Sequence, residues 1–189
     1  MTTPPLFAPW RMQYIKTLGQ SGACFLCEAA AADNPQRQRD RLVLWGTDLS
    51  VVLLNRFPYA NGHLLIAPRA HKCELEELSE AEQLDLSVQT VKAVRLLKRA
   101  VSAQGFNLGI NLGTAAGAGL PGHVHQHLVP RWGGDTNFMS VVGETRVVPE
   151  ALSQMYVELL RLAEEILLET PSQKLEIRTS NDESNSKFE

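Results

Sequence analysis

The chain has 189 residues, 44% of them hydrophobic and 21% charged, the balance of one globular domain and short for two. Its formal net charge is −3, so the overall field offers no pull toward nucleic acid or an anionic membrane, and an anionic substrate must be held by local groups. No apolar run approaches a membrane span, MTTPPLFAPWRMQY lacks the apolar core of a secretory signal, and three cysteines suit a reducing compartment; the expected location is cytoplasmic.

Residues 1–20 read as an N-terminal arm, rich in proline at its start, in which RMQYIKTL is able to make a short helix. The main domain is expected over 21–170, and the polar 171–189 reads as a disordered tail. Between residues 29 and 40 an alanine run passes into DNPQRQRD, an exposed loop or frayed helix. RLVLW and SVVLLN, separated by Gly46-Thr47-Asp48-Leu49, read as a β-hairpin, and HLLIAP follows as a third strand stopped by Pro68. Ser79 with Glu82 is a capping-box pattern opening a helix to about Ala103. Its expected core face is Leu84, Val88, Val91, Val94 and Leu96 or Leu97. FNLGINL is the next strand, GTAAGAGLPG a glycine-rich loop, HVHQHLVP the last strand, and 149–169 a second helix with Pro149 in its first turn. Strands and helices in this order make an α+β fold, not an alternating βαβ one.

The chemistry concentrates in GHVHQHLVPRWGG. Alternation along a strand puts His123, His125 and His127 on one face. One such histidine is most simply a satisfied core residue. Three in a row are not, because each imidazole buried without partners costs about 1–3 kcal/mol. Upstream, Gly113, Gly117, Gly119 and Gly122 let backbone N–H groups approach an anion. A phosphate beside a histidine row suits nucleophilic chemistry, since a neutral imidazole attacks phosphorus well near pH 7. The attacking ring needs its other nitrogen protonated and pinned to an acceptor.

HVHQHLV resembles the H-φ-H-φ-H-φ-φ mark of the histidine-triad (HIT) superfamily of nucleotide hydrolases and transferases, with Gln126 at a position usually apolar. LLNRFPYANGHLLIAPRAH is similar to that family's upstream nucleotide-binding segment, and the likeness covers roughly residues 22–147. The longer GFNLGINLG, AG and HVHQHLVPRWGGDTNFM resemble the bacterial branch related to diadenosine tetraphosphate phosphorylases and hydrolases. The resemblance implies a HIT-like antiparallel sheet packed with one long and one C-terminal helix, and a homodimer. It implies a nucleotide or dinucleoside polyphosphate as substrate. His125 would be the nucleophile, forming a nucleotidyl-histidine, and His127 would hold the phosphate. Asn55 would bind the ribose, His63 would stand behind the triad, and Asn111 would reach the phosphate side of the pocket. Where many relatives carry a hydroxyl or amide side chain before the triad, this chain has Ala118, Gly119 and Leu120, so backbone amides of Gly117, Ala118 and Gly119 would substitute.

Cys24-Phe25-Leu26-Cys27 is open to three readings on its own: a redox pair, two buried thiols, or half of a metal site. The resemblance favours the third, because relatives with C-x-x-C bind structural zinc through both cysteines, a histidine at His71, and the first triad histidine, here His123. His123 then anchors while His125 and His127 act on phosphate. Cys73 reads as a free thiol. Phe57 and Tyr59 suit either the walls of a base pocket or core packing. Arg131 and Trp132 suit the pocket or a subunit contact, and Asp135 suits substrate or a turn cap.

The leading expectation is a nucleotidyltransferase or hydrolase of dinucleoside polyphosphates with phosphate as acceptor. Its alternatives are a general nucleoside phosphoramidate or nucleotide hydrolase, a metal-dependent hydrolase using H-x-H ligands, and a non-catalytic nucleotide-binding module.

Overall fold

The hairpin expected from RLVLW and SVVLLN forms as β1 (Val43–Gly46) and β2 (Ser50–Leu54), closed where the Thr47 amide donates to the Ser50 carbonyl at 2.9 Å. The computed structural model describes residues 23–135 and 151–168. The expected arm, the expected tail and Pro149 therefore lie outside the described residues. β3 (Leu64–Pro68), β4 (Gly105–Ile110) and β5 (Gln126–Arg131) complete a sheet ordered β1-β2-β3-β5-β4, antiparallel at every pairing. The helices are α1 (Phe25–Ala30), α2 (Pro35–Arg41), α3 (Glu80–Ala100) and α4 (Leu152–Leu168). The α+β class, the long helix and the C-terminal helix all appear as expected.

Both sheet faces are covered at the centre, which is why β2 and β3 read as continuous apolar runs. Val52, Leu54, Leu64, Ile66 and Leu128 join Leu96, Leu97, Met155 and Leu159 of α3 and α4 in the larger core. Val51, Leu53, Leu65 and Ala67 meet Leu26 and Ala29 of α1 in a second cluster on the opposite face. Register then places the chemistry. His127 pairs with Leu65, so it rises from the α1 side of the sheet, away from α3 and α4.

Two local expectations change. The 29–40 stretch is ordered as the end of α1 and all but the last residue of α2. Asn34 caps α2 by accepting from the Arg37 amide at 3.0 Å, and Pro35 stands at the first position, where its missing N–H costs nothing. The capping box of α3 is present, and Val94 with Leu96 and Leu97 packs on the core as expected, but the N-terminal part of the buried face differs. Glu82, Leu86, Gln89, Ala93, Leu96 and Leu97 face inward. Leu84, Val88 and Val91 are 66%, 42% and 51% exposed. Polar anchors choose the face: Gln89 accepts from Trp45 Nε1 at 3.0 Å, and Asp85 accepts from Thr47 Oγ1 at 2.7 Å and Ser50 Oγ at 2.5 Å. Two apolar stripes have helical spacing, and only one can meet the sheet.

The N-terminus of α3 also steadies the loop that leads to the site. Glu82 accepts from the Ser79 amide and from Lys72 Nζ, both at 2.7 Å. The Lys72 ammonium first, and the Ser79 amide next, hold the Glu82 carboxyl down to about 2. A carboxyl depressed in the folded state contributes fully above its unfolded value of about 4.3 and loses that contribution as pH falls toward 2. Denaturation midpoints measured between those limits fall for the native chain, and the Glu82→Gln variant shows a shallower fall from a lower starting point. Among the described residues no helix is long and apolar enough to cross a membrane.

Candidate active site and metal centre

The three triad histidines do not form the single row expected of a strand. β5 begins at Gln126, so only His127 lies in the ladder, and His123 and His125 are placed by other contacts. The Val124 amide donates to the Lys72 carbonyl at 2.7 Å, and His123 Nε2 donates to the Pro68 carbonyl at 2.9 Å. These bonds turn His123 toward α1, where Cys24 and Cys27 stand.

Cys24 is the N-cap of α1 and Cys27 lies within its first turn, so three positions of spacing bring both thiols to one side. Their sulfurs stand 3.2 and 3.5 Å from His123 Nδ1, and Cys27 Sγ is 3.2 Å from His71 Nδ1. One ligand atom from each of Cys24, Cys27, His71 and His123 lies within 4.8 Å of the others. A tetrahedral ion with bonds of about 2.0–2.3 Å sets its donors about 3.3–3.8 Å apart, close to these separations. The Pro68 bond takes the His123 Nε2 proton and leaves the Nδ1 lone pair facing the sulfurs, the support a ligating histidine needs. Burial first, and then the neighbouring Cys24, push the Cys27 thiol up to about 11. A bound cation reverses that order by displacing the thiol protons. The four residues fit a closed metal site and include one triad histidine. A metal held there would take His123 out of any H-x-H catalytic pair, and no other ligand cluster occurs among the described residues.

The remaining histidines are fixed by their partners. His125 Nδ1 donates to the His123 carbonyl at 2.7 Å, which leaves the lone pair on Nε2. His63 Nδ1 accepts from the Tyr59 amide at 3.1 Å and lies 3.2 Å from Asn55 Nδ2. Its proton is therefore on Nε2, donated to His127 Nδ1 at 3.0 Å. His127 in turn carries its proton on Nε2. The rings of His125 and His127 meet edge to face with centroids 5.0 Å apart. One ring thus offers a lone pair and its neighbour an N–H. Burial lowers the pKa of His125, and burial, then His127 and His125, lower that of His63 to about 3, so these rings are neutral at pH 7.

Other expected site residues fall around this pair. The Asn55 carboxamide grips its own loop, accepting from the Phe57 amide at 3.0 Å while its nitrogen meets His63. Phe57 is half-buried, and Asn111 follows the end of β4, also half-buried. Gly109 pairs with His127 across the ladder, and a Cβ built on it meets nothing within 4 Å, so the sheet face beside the imidazole is open. In the glycine-rich loop the Gly117 amide donates to Thr114 and the Ala118 amide to Gly113. Only Gly119, of the three amides expected to bind phosphate, is not engaged inside the loop. Leu120, at the end of that loop, packs against the α1 cluster. Asp135 caps the turn after β5, accepting from Arg131 and from the Trp132 amide. The Trp132 indole donates to the Val101 carbonyl at 2.9 Å. Two contributors were not legible beforehand, the Pro68 carbonyl and the Tyr59 amide, because backbone groups leave no residue-type signal.

Compared with known proteins, residues 36–134 match the HIT domain. An AP-4-A phosphorylase of Mycobacterium tuberculosis is 44% identical over 111 residues, 59% of this chain and 57% of that protein. A bis(5'-nucleosyl)-tetraphosphatase (asymmetrical) of Schizosaccharomyces pombe is 35% identical over 89 residues, 47% of this chain and 48% of that protein. The chain spans about half the length of the curated relatives it matches. Among solved structures, a zinc-bound histidine triad family protein from Mycobacterium smegmatis shares the fold at a TM-score of 0.60 and 23% identity, over 76% of this chain and 95% of that one. With a matched segment that takes in more than half the chain and carries both the Asn55–His63 loop and the triad, this chain belongs to the HIT domain family.

Proposed function

We propose that the protein is a nucleotidyltransferase that cleaves dinucleoside polyphosphates such as diadenosine tetraphosphate, with inorganic phosphate as acceptor. One observation carries this reading: adjacent rings held in opposite tautomers, a lone pair on His125 Nε2 beside an N–H on His127 Nε2. His125 Nε2 attacks the α-phosphorus, an N–P bond forms, and the P–O bond to the leaving nucleoside polyphosphate breaks. That group departs as an anion and needs no proton. The His123 carbonyl, already bonded to Nδ1–H, stabilises the imidazolium that results. His127 donates to a phosphoryl oxygen. A phosphate oxygen then attacks the same phosphorus, the N–P bond breaks, and a nucleoside diphosphate leaves. The relatives named as an AP-4-A phosphorylase and a tetraphosphatase support the substrate class.

The acceptor is tested by incubating the protein with diadenosine tetraphosphate, with and without phosphate. ADP formed only with phosphate is the expected result, and AMP formed regardless of phosphate overturns the phosphorylase reading. The Cys24, Cys27, His71 and His123 set is assigned to structural zinc, since four protein donors leave no open position for substrate.

The same reading includes a homodimer. β4 is an edge strand, and Leu108 on its helix side is 50% exposed, as are the outward Leu84, Val88 and Val91 of α3 to similar degrees. Val88→Asp combined with Leu108→Asp is expected to convert a dimer to a monomer in light scattering. A mass that is monomeric before substitution, or dimeric after it, overturns this assignment.

A further inference from the structure

We propose that Tyr59 is a positioning residue for the phosphate-holding histidine, His127, acting through His63. The Tyr59 ring stacks on His63 with centroids 4.9 Å apart and planes 25° from parallel, and it borders His127 at 6.1 Å. His63 and His127 are themselves 5.2 Å apart. The amide of the same residue donates to His63 Nδ1. Backbone and side chain of one residue thus act together: the amide decides which His63 nitrogen holds the proton, and the ring closes the face through which water reaches the His63–His127 bond.

The loop is built to hold that residue still. The Asn55 amide donates to the His63 carbonyl at 2.9 Å, and the His63 amide donates to the Ala60 carbonyl at 3.1 Å. Gly62, at φ +77°, lets the loop press against α3, where an added Cβ would lie 2.9 Å from Leu97 Cδ2. Among the described residues the titratable groups facing His63 are His125 and His127 on the β5 segment and Tyr59 on its own loop; Asn55 is neutral and the α3 contact is apolar. Burial is the largest cause of the low His63 pKa. A protonated His63 could no longer accept from the Tyr59 amide, so keeping water from this ring keeps the tautomer of both histidines.

The turnover part of the test rests on the proposed reaction, and the spectroscopic part does not. The full chain is compared with Tyr59→Phe and Tyr59→Leu by long-range proton–nitrogen NMR of the histidine rings, and by kcat and KM for diadenosine tetraphosphate across pH. Tyr59→Phe keeps the stacked ring and the backbone amide, and is expected to match the native chain within about 2-fold. Tyr59→Leu is expected to replace the single His127 Nε2–H signature with a mixture of tautomers. It lowers kcat about 10- to 100-fold with KM nearly constant, and moves the acid limb of the profile upward toward the ordinary histidine value of about 6.5. A rise in KM with kcat and ring signals unchanged would make Tyr59 a wall of the base pocket and overturn the proposal. So would an equal loss in Tyr59→Phe, or unaltered His127 signals in Tyr59→Leu. Should the leucine variant lose its far-ultraviolet circular dichroism, Tyr59→Met is read by the same criteria. If the native chain turns over no dinucleotide, the proposed reaction falls while the ring signals still decide the role of Tyr59.

Discussion

Replacing His125 with alanine is expected to lower kcat by on the order of 10⁴-fold or more, to the level of the uncatalysed reaction plus binding. The expectation follows from which atom is unique. Among the described residues of the site, His125 Nε2 is the imidazole lone pair that the hydrogen bonds leave facing outward, since the proton of its ring is held on the His123 carbonyl at 2.7 Å. His127 offers only a donor, so His127→Ala removes one stabilising hydrogen bond and is expected to cost about 10²–10³-fold. His63→Phe leaves His127 present but without the partner that fixes its tautomer, and its loss is expected to be the smallest of the three. Mass spectrometry of an acid-quenched reaction supplies a second readout: the native chain gains one nucleotidyl group and the His125→Ala chain gains none. Turnover retained in His125→Ala, or a nucleotidyl adduct on another residue, would falsify the assignment of the nucleophile.

Much of this arrangement was legible in the residues, and the failures share a cause. Strand identity came through because short apolar runs bounded by turn residues, as in β1 and β2, leave too little length for a helix. The Ser79 and Glu82 pair announced the start of α3 because capping is local and needs only four residues. The face of α3 was not local. Leu84, Val88 and Val91 have the right spacing, yet Gln89 and Asp85 turn the helix by bonding Trp45, Thr47 and Ser50 across the fold. The triad shows the same limit. Alternation predicts a shared face for His123, His125 and His127, but the ladder starts at Gln126, and the Pro68 and Lys72 carbonyls pull the preceding segment toward α1. Backbone partners decide which nitrogen of each ring is protonated, and no residue type records them. The glycine-rich loop suggested three free amides, and its own turn takes up two. The metal set emerged by the opposite route: its residues were named through likeness to relatives, and the fold brings all four together from positions 24 to 123.

That convergence supports the second large effect. Cys24→Ser with Cys27→Ser is expected to abolish zinc binding and to lower unfolding stability by at least about 3 kcal/mol, because folding and metal binding are linked when the site exists only in the folded chain. Cys73→Ser serves as the control. Cys73 has a thiol of similar exposure outside the cluster, so its loss should leave zinc content and stability unchanged. The effect should reach the chemistry as well, through one residue. His123 offers Nδ1 to the sulfurs and Nε2–H to Pro68, and its carbonyl holds the His125 proton. A metal that immobilises the His123 ring also fixes that carbonyl, two residues before its role as nucleophile positioner ends at His125. Without the metal, the His125 Nδ1–H should exchange faster with solvent in NMR, and kcat should fall with KM little changed, even at temperatures where the domain stays folded. Zinc content near one per chain by atomic emission, lost together with stability and with His125 Nδ1–H protection in the double variant, is the expected set of results. If the double variant keeps native stability and native His125 protection, the four residues are neither a structural metal site nor a support for the nucleophile, and His123 is placed by Pro68 alone.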